Sequence, residues 1–157
     1  TQEVLVEAAR HMGTSVVEIL QNCVIYNHGI HNYITDREHR ADRTIHLRHG
    51  EKMIFGADGQ KGLVRDGFLL KAVEIGKDGY TIDDVLVHDA HTRSNFLHQQ
   101  LAMMDGTDLP LALGVIRDVD APTYDSEVEC QVEKVSSAKG FSSLRDMVCA
   151  GETWEVK

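Results

Sequence analysis

Two short apolar runs constrain this chain more than any other feature. Ser15-Val16-Val17-Glu18-Ile19-Leu20 and Leu111-Ala112-Leu113-Gly114-Val115-Ile116 are aliphatic and do not alternate polar with apolar residues. Runs of that kind suit strands covered on both faces, as in a parallel sheet flanked by helices. Before the first run, Val4, Leu5, Ala8, Ala9 and Met12 recur at helical spacing between Thr1 and Gly13. This predicts a helix over about 1–12, capped by the Thr1 hydroxyl and stopped by the left-handed freedom of Gly13. Helix followed by buried strand is the order of a doubly wound α/β fold. Such a sheet needs strands at both edges and helices on both faces, yet only two runs of this type occur. The sequence therefore reads as part of a larger α/β domain, entered in its middle.

The segment 22–43 is rich in His, Asn, Asp and Gly and reads as loop. Three strands are expected over 44–48, 53–55 and 63–75, the last broken by Asp66-Gly67. Gly50, Gly56, Gly59, Gly76 and Gly79 punctuate them, and Asp-Gly or His-Gly turns favour hairpins, so the three are expected to form a small antiparallel meander. Residues 85–87 suggest one more short strand. A helix over 95–104 would be capped by Ser94 and turn Phe96, Leu97, Leu101 and Met104 inward. After Pro122, Asp125 or Ser126 could cap a helix carrying Val128, Val132 and Val135, and a last helix near 143–150 should stop at Gly151.

Composition excludes several function classes. A formal net charge of −9 on 157 residues, with Lys and Arg dispersed among acids, argues against a nucleic-acid partner. No apolar run approaches the 18 residues of a membrane span. The first residues lack the order of a signal peptide, and three cysteines make no disulfide framework, so a reducing cytoplasm is expected. Neither a Gly-x-Gly-x-x-Gly loop, a phosphate-binding Gly-x-x-x-x-Gly-Lys loop nor a Gly-x-Ser-x-Gly elbow is present.

Three histidine pairs stand at i,i+3 spacing: His28/His31, His46/His49 and His88/His91, the last with Asp89 beside it. Imidazole and carboxylate together could bind zinc or non-haem iron. None of the pairs has the His-Glu-x-x-His form, and in a strand this spacing sends the two rings to opposite faces. They read as loop and surface histidines. Carboxylate pairs such as Asp83-Asp84 fall in turns. Cys130 and Cys149, with Val128, Val132, Met147 and Val148 around them in sequence, read as small buried hydrophobes. Cys23 differs, because it directly follows a strand-like run, at the carboxyl edge where α/β folds gather ligands. Position alone leaves open whether that thiol is functional.

At Val17-Glu18-Ile19-Leu20-Gln21-Asn22-Cys23-Val24-Ile25-Tyr26-Asn27 the sequence resembles the β subunits of 2-oxoacid:ferredoxin oxidoreductases, particularly the 2-oxoglutarate type. The likeness continues through His49-Gly50-Glu51, Ile54-Phe55-Gly56-Ala57-Asp58-Gly59 and Val87-His88-Asp89-Ala90. It resumes at Leu113-Gly114-Val115-Ile116-Arg117 and Ala121-Pro122-Thr123-Tyr124-Asp125, and ends at Gly151-Glu152-Thr153-Trp154-Glu155-Val156. Val24 stands where the family has Pro, Tyr26 where it has Phe, and His28 where Asp is common, which gives the loop after Cys23 its own path.

The resemblance implies an enzyme that oxidatively decarboxylates a 2-oxoacid on thiamine diphosphate and Mg²⁺, forms an acyl-CoA, and passes electrons through a 4Fe-4S cluster to ferredoxin. It implies that Cys23 is a cluster ligand, and that an α subunit is the partner. The family's Cys-x-x-Cys pair and Gly-Asp-Gly diphosphate motif are not in this sequence, so the expectation is a C-terminal portion of the β subunit. Residues 1–30 would end the thiamine diphosphate-binding domain and 31–157 would form the C-terminal domain. Two other classes compete: a stand-alone metal-binding enzyme using His88, Asp89 and His91, and a non-catalytic assembly module.

Overall fold

A computed structural model describes residues 1–140, 143–154 and 156. The chain forms two compact units, one of Thr1–His11 with Ser15–Asp120 and the other of Met12–Thr14 with Ala121–Lys157. The larger unit is mixed α/β, and its core lies where a parallel strand pair, a three-stranded antiparallel sheet and one helix converge.

Helix α1 (Gln2–Arg10) starts behind Thr1 as expected but ends two residues early, with His11 already extended. Glu3 in its first turn and Arg10 in its last complement the helix dipole. The predicted strand over 15–20 is absent. Residues 15–20 belong to no sheet, Val16 is 91% exposed, and Ile19 and Leu20 are exposed as well. β-branched residues fit a pleated surface, but a strand exists only through its ladder partner, and no described strand lies beside this one.

Two single-turn helices, α2 (Asn32–Thr35) and α3 (Arg40–Arg43), lead into β1 (Thr44–Leu47). β1 was expected in the meander. It pairs instead in parallel with β5 (Leu111–Gly114), in the register Thr44↔Leu111 to Leu47↔Gly114. Local turn signals could not show this, because a parallel pair is joined by a long crossover. The run 111–116 is shorter and less covered as a strand than expected. β5 stops at Gly114, and Leu111, Ala112 and Leu113 are half-buried.

The meander is built from β2 (Ile54–Phe55), β3 (Lys61–Asp66) and β4 (Leu69–Glu74), in the order β2-β3-β4. The Asp66-Gly67 break in the third predicted strand becomes the β3–β4 hairpin, with Asp66 opposite Leu69 and Gly67 at φ +61°. Residues 85–88 run against 50–53: Met53 N–H donates to Leu86 O and His88 N–H to Glu51 O, with a single bridge at Lys52↔Val87. A 3-10 turn at Ile82–Asp84 precedes them, closed by a capping box between Thr81 and Asp84.

Helix α4 (Phe96–Ala102) begins behind Asn95 rather than Ser94. Leu101 and Met104 turn inward as predicted, and Leu97 packs on the core, while Phe96 stays exposed. The core is Ile45, Leu47, Met53, Phe55, Leu63, Leu101 and Met104. Each such side chain is worth roughly 1.5–3 kcal/mol when buried.

In the smaller unit, α5 (Tyr124–Lys139) is capped by Thr123, whose hydroxyl accepts from Ser126 N–H, and ends at left-handed Gly140. The cap sits two residues ahead of Asp125. α6 (Leu144–Val148) is capped by Ser143 through Asp146 N–H, and Cys149 rather than Gly151 closes it. Glu155 of the C-terminal motif lies outside the described residues.

Gly67 and Gly114 both have positive φ, but a Cβ on Gly114 would stand 2.5 Å from Leu47 O across the parallel pair, while one on Gly67 meets nothing within 4 Å. Gly114→Ala should therefore lower the urea midpoint well beyond Gly67→Ala, whose cost is confined to the backbone, roughly 1 kcal/mol. Equal losses would show that the β1–β5 approach does not matter.

Candidate functional site

Cys23 lies in a tight loop just after the extended segment. Asn27 N–H donates to Cys23 O at 3.0 Å, closing the loop on itself. Gly29 N–H donates to Asn22 Oδ1 at 2.7 Å and fixes its far side. Within it, Tyr26 N–H points at Cys23 Sγ, 3.5 Å away. The thiol is exposed, and its pKa lies below the usual thiol value because the Tyr26 amide, then that of Ile25, favour the thiolate against an opposing effect of desolvation, with a lesser contribution from the Asn27 amide. The Tyr26, Val24 and Ile25 side chains are exposed around it.

Neither of the other cysteines is buried as expected. Cys130 is half-buried on α5, and Cys149 is exposed at the C-cap of α6. All three are free thiols.

The histidines divide into two groups. His88 and His98 are buried, at 1% and 3% exposure, with their rings edge-on at 6.2 Å. His88 Nε2 donates to Val115 O at 2.9 Å and His98 Nε2 to Asp89 O at 2.9 Å, so both carry the bare nitrogen at Nδ1. Reading His88 as a surface histidine is therefore corrected. It is a core side chain that ties the 85–88 segment to the residues after β5. Burial lowers its pKa below the ordinary 6.5, against the opposing hydrogen bond to Val115. His98 carried no sequence signal beyond its place three residues before Leu101 on the inward face of α4.

His49 and His91 are exposed and pack against each other at 4.2 Å between ring centroids. Ala90 N–H donates to His49 Nδ1, and His91 Nδ1 donates to Asp118 O. Asp118 stands between two imidazoles, with one carboxylate oxygen 3.7 Å from His11 and the other 3.7 Å from His91. These contacts hold the loop at 88–91 against the segment following β5. They do not bring His88, Asp89 and His91 to one centre, since His88 is engaged in the core. Among the described residues no group of three or more His, Cys, Asp or Glu is arranged to hold a metal ion. His28 is exposed and His31 half-buried, His46 is exposed on β1, and Asp84 is engaged in its capping box.

Over 157 aligned positions that cover 98% of it, the chain is 34% identical to 2-oxoglutarate oxidoreductase subunit KorB of Mycobacterium tuberculosis. The chain is a relative of that subunit. The similarity seen in separate motifs thus runs through nearly the whole sequence, the Cys23 loop included. The chain spans 41% of that relative's length. No family model and no solved structure matches it. No helix among the described residues is long and apolar enough to cross a membrane.

Two predictions follow from the side chains. Cys23 should be alkylated by iodoacetamide well ahead of Cys149 at neutral pH, by peptide mass spectrometry, because both are exposed but the Cys23 thiolate is favoured. Equal rates would remove the role given to the loop amides. Stability should fall with acid through His88. Its folded pKa lies below 6.5, so from that pH downward the unfolded chain binds a proton that the folded chain refuses. The urea midpoint should drop between pH 7.5 and 5.5, and less so in His88→Gln. An unchanged slope in the variant would contradict this.

Proposed function

We propose that the chain is the C-terminal part of the β subunit of a 2-oxoacid:ferredoxin oxidoreductase that converts a 2-oxoacid, 2-oxoglutarate foremost, to its acyl-CoA in the cytoplasm. The observation that carries the proposal is the 34% identity to a curated 2-oxoglutarate oxidoreductase subunit along 98% of the chain. An α subunit would complete the enzyme and ferredoxin would take the electrons. In this reading residues 1–30 end the thiamine diphosphate-binding domain, and the extended run 15–20 finds its sheet neighbours in the remainder of that domain.

Thiamine diphosphate with Mg²⁺ would supply the decarboxylation chemistry and a 4Fe-4S cluster the electron path. The residues present fit these groups unequally. One thiol, Cys23, suits a single cluster ligand: it is exposed, it lies at the end of an extended segment, and backbone amides favour its thiolate form. A four-iron cluster needs four thiolates, and this chain has three cysteines, of which Cys130 lies on α5 and Cys149 at the C-cap of α6. We assign this chain one corner of the cluster and no part of the diphosphate site. What its own residues do is hold that thiolate: the Cys23–Asn27 turn and the Asn22–Gly29 bond set the loop, and the Tyr26 amide faces the sulfur.

In the complete β subunit assembled with its α partner, Cys23→Ser should remove most of the bound iron and the broad visible absorbance. Cys130→Ala and Cys149→Ala should leave both intact. Equal iron in wild type and Cys23→Ser would sink the assignment.

A further inference from the structure

The loop that carries Cys23 is held by hydrogen bonds and not by packing. Residues 21–28 are all exposed, Ile25 at 79% and Tyr26 at 90%, so no apolar burial fixes the path of the chain around the sulfur. Inside the loop, Asn27 N–H donates to Cys23 O and Tyr26 N–H points at Cys23 Sγ. Neither bond ties the loop to anything outside it. One side chain does. Asn22 Oδ1 accepts from Gly29 N–H at 2.7 Å, the short end of the range for such bonds, and closes a span of seven residues around the thiol.

Gly29 is itself anchored. Its carbonyl accepts from Asn32 N–H at 2.9 Å, at the start of α2. α2 is seated in the larger unit, with Ile34 at 4% exposure and Tyr33 Oη donating to Asp105 O at 3.0 Å. A continuous path of contacts therefore runs from the folded body through α2 and Gly29 to Asn22, the residue next to the thiol. Asn is suited to that place, because its side-chain oxygen accepts as a backbone carbonyl does. Without that oxygen the loop keeps its internal turn and loses its hydrogen-bonded attachment.

We propose that Asn22 is the positioning residue for the Cys23 sulfur: by holding Gly29 N–H it fixes the loop to α2, keeps the Tyr26 amide on the sulfur, and so raises the potential of the cluster that Cys23 would ligate. Reduction adds negative charge to a cluster and its sulfurs, so a donor aimed at a ligating sulfur stabilises the reduced state more than the oxidised one. Asn22 itself does not touch the sulfur; it acts through the loop. The inference rests on the cluster reading above for what the sulfur holds, and on the loop geometry for how the sulfur is held.

The test uses the complete β subunit assembled with its α partner, as wild type, Asn22→Ala and Asn22→Asp. Hydrogen exchange is read residue by residue by mass spectrometry on the iron-stripped complex, and the midpoint potential by EPR-monitored titration of the loaded one. In wild type the Gly29 amide should exchange several-fold more slowly than those of His28 and Ile30, which have no partner among the described residues. Asn22→Ala should abolish that protection and speed exchange at Tyr26. Asn22→Asp keeps an acceptor oxygen and should restore both. The added charge of Asp acts on the potential by itself, so that variant is read only by exchange. In the loaded complex Asn22→Ala should move the potential to a more negative value. It should also release iron at roughly tenfold lower chelator concentration, as loss of an outer-shell partner does. Circular dichroism should be the same in all three, since the side chain is exposed. An unprotected Gly29 amide in wild type overturns the inference, and so does an unmoved potential in Asn22→Ala. Full iron in Cys23→Ser overturns the cluster reading and with it the effect on potential, whereas exchange measured without iron reports on the Asn22 contact alone.

Discussion

The larger unit depends on one four-residue strand. β1 sends Ile45 and Leu47 into the core while its backbone pairs in parallel with β5, so that it joins the two sheets' worth of apolar surface to the segment that follows residue 110. Leu63 of β3 and Leu101 of α4 close over the same side chains, both with no exposure. Remove that pairing and the residues after β5, Val115 and Asp118 among them, lose the strand that presents them to His88 and His91. The histidine contacts are therefore consequences of the sheet, and their chemistry is that of a structural clasp.

That ordering sets the histidines apart from Cys23. His88 and His98 are buried with their donors on backbone carbonyls, and His49 and His91 hold loops to one another. Cys23 is in the opposite situation. It is exposed, its loop is set by backbone bonds of its own, and the amides around the sulfur act on the thiolate.

Much of this was readable from the residues where the cause was local. Asp66-Gly67 marks the hairpin because a two-residue turn needs Gly at positive φ, and Leu101 and Met104 face inward by helical spacing. The failures came where the cause lies far along the chain. Thr44–Leu47 pairs with a strand more than sixty residues away, which no turn residue announces. Val16, Ile19 and Leu20 have the composition of a buried strand, but composition gives a propensity and not a partner. His88 read as a loop or surface histidine, and only its burial and the placement of Val115 O show that it belongs to the core. At Cys23 the motif and the place after an aliphatic run singled out one thiol, while the amides that favour its thiolate became visible only in the folded loop.

The proposed role in a 2-oxoacid oxidoreductase is tested most directly by substrate-dependent electron transfer in the complete β subunit together with its α partner. With thiamine diphosphate, Mg²⁺ and coenzyme A present, 2-oxoglutarate should reduce ferredoxin or a viologen dye, and leaving out coenzyme A should suppress the sustained turnover. Pyruvate in its place should support a lower rate. Dye reduction by none of the 2-oxoacids, from a complex that contains its full complement of iron, would contradict the account.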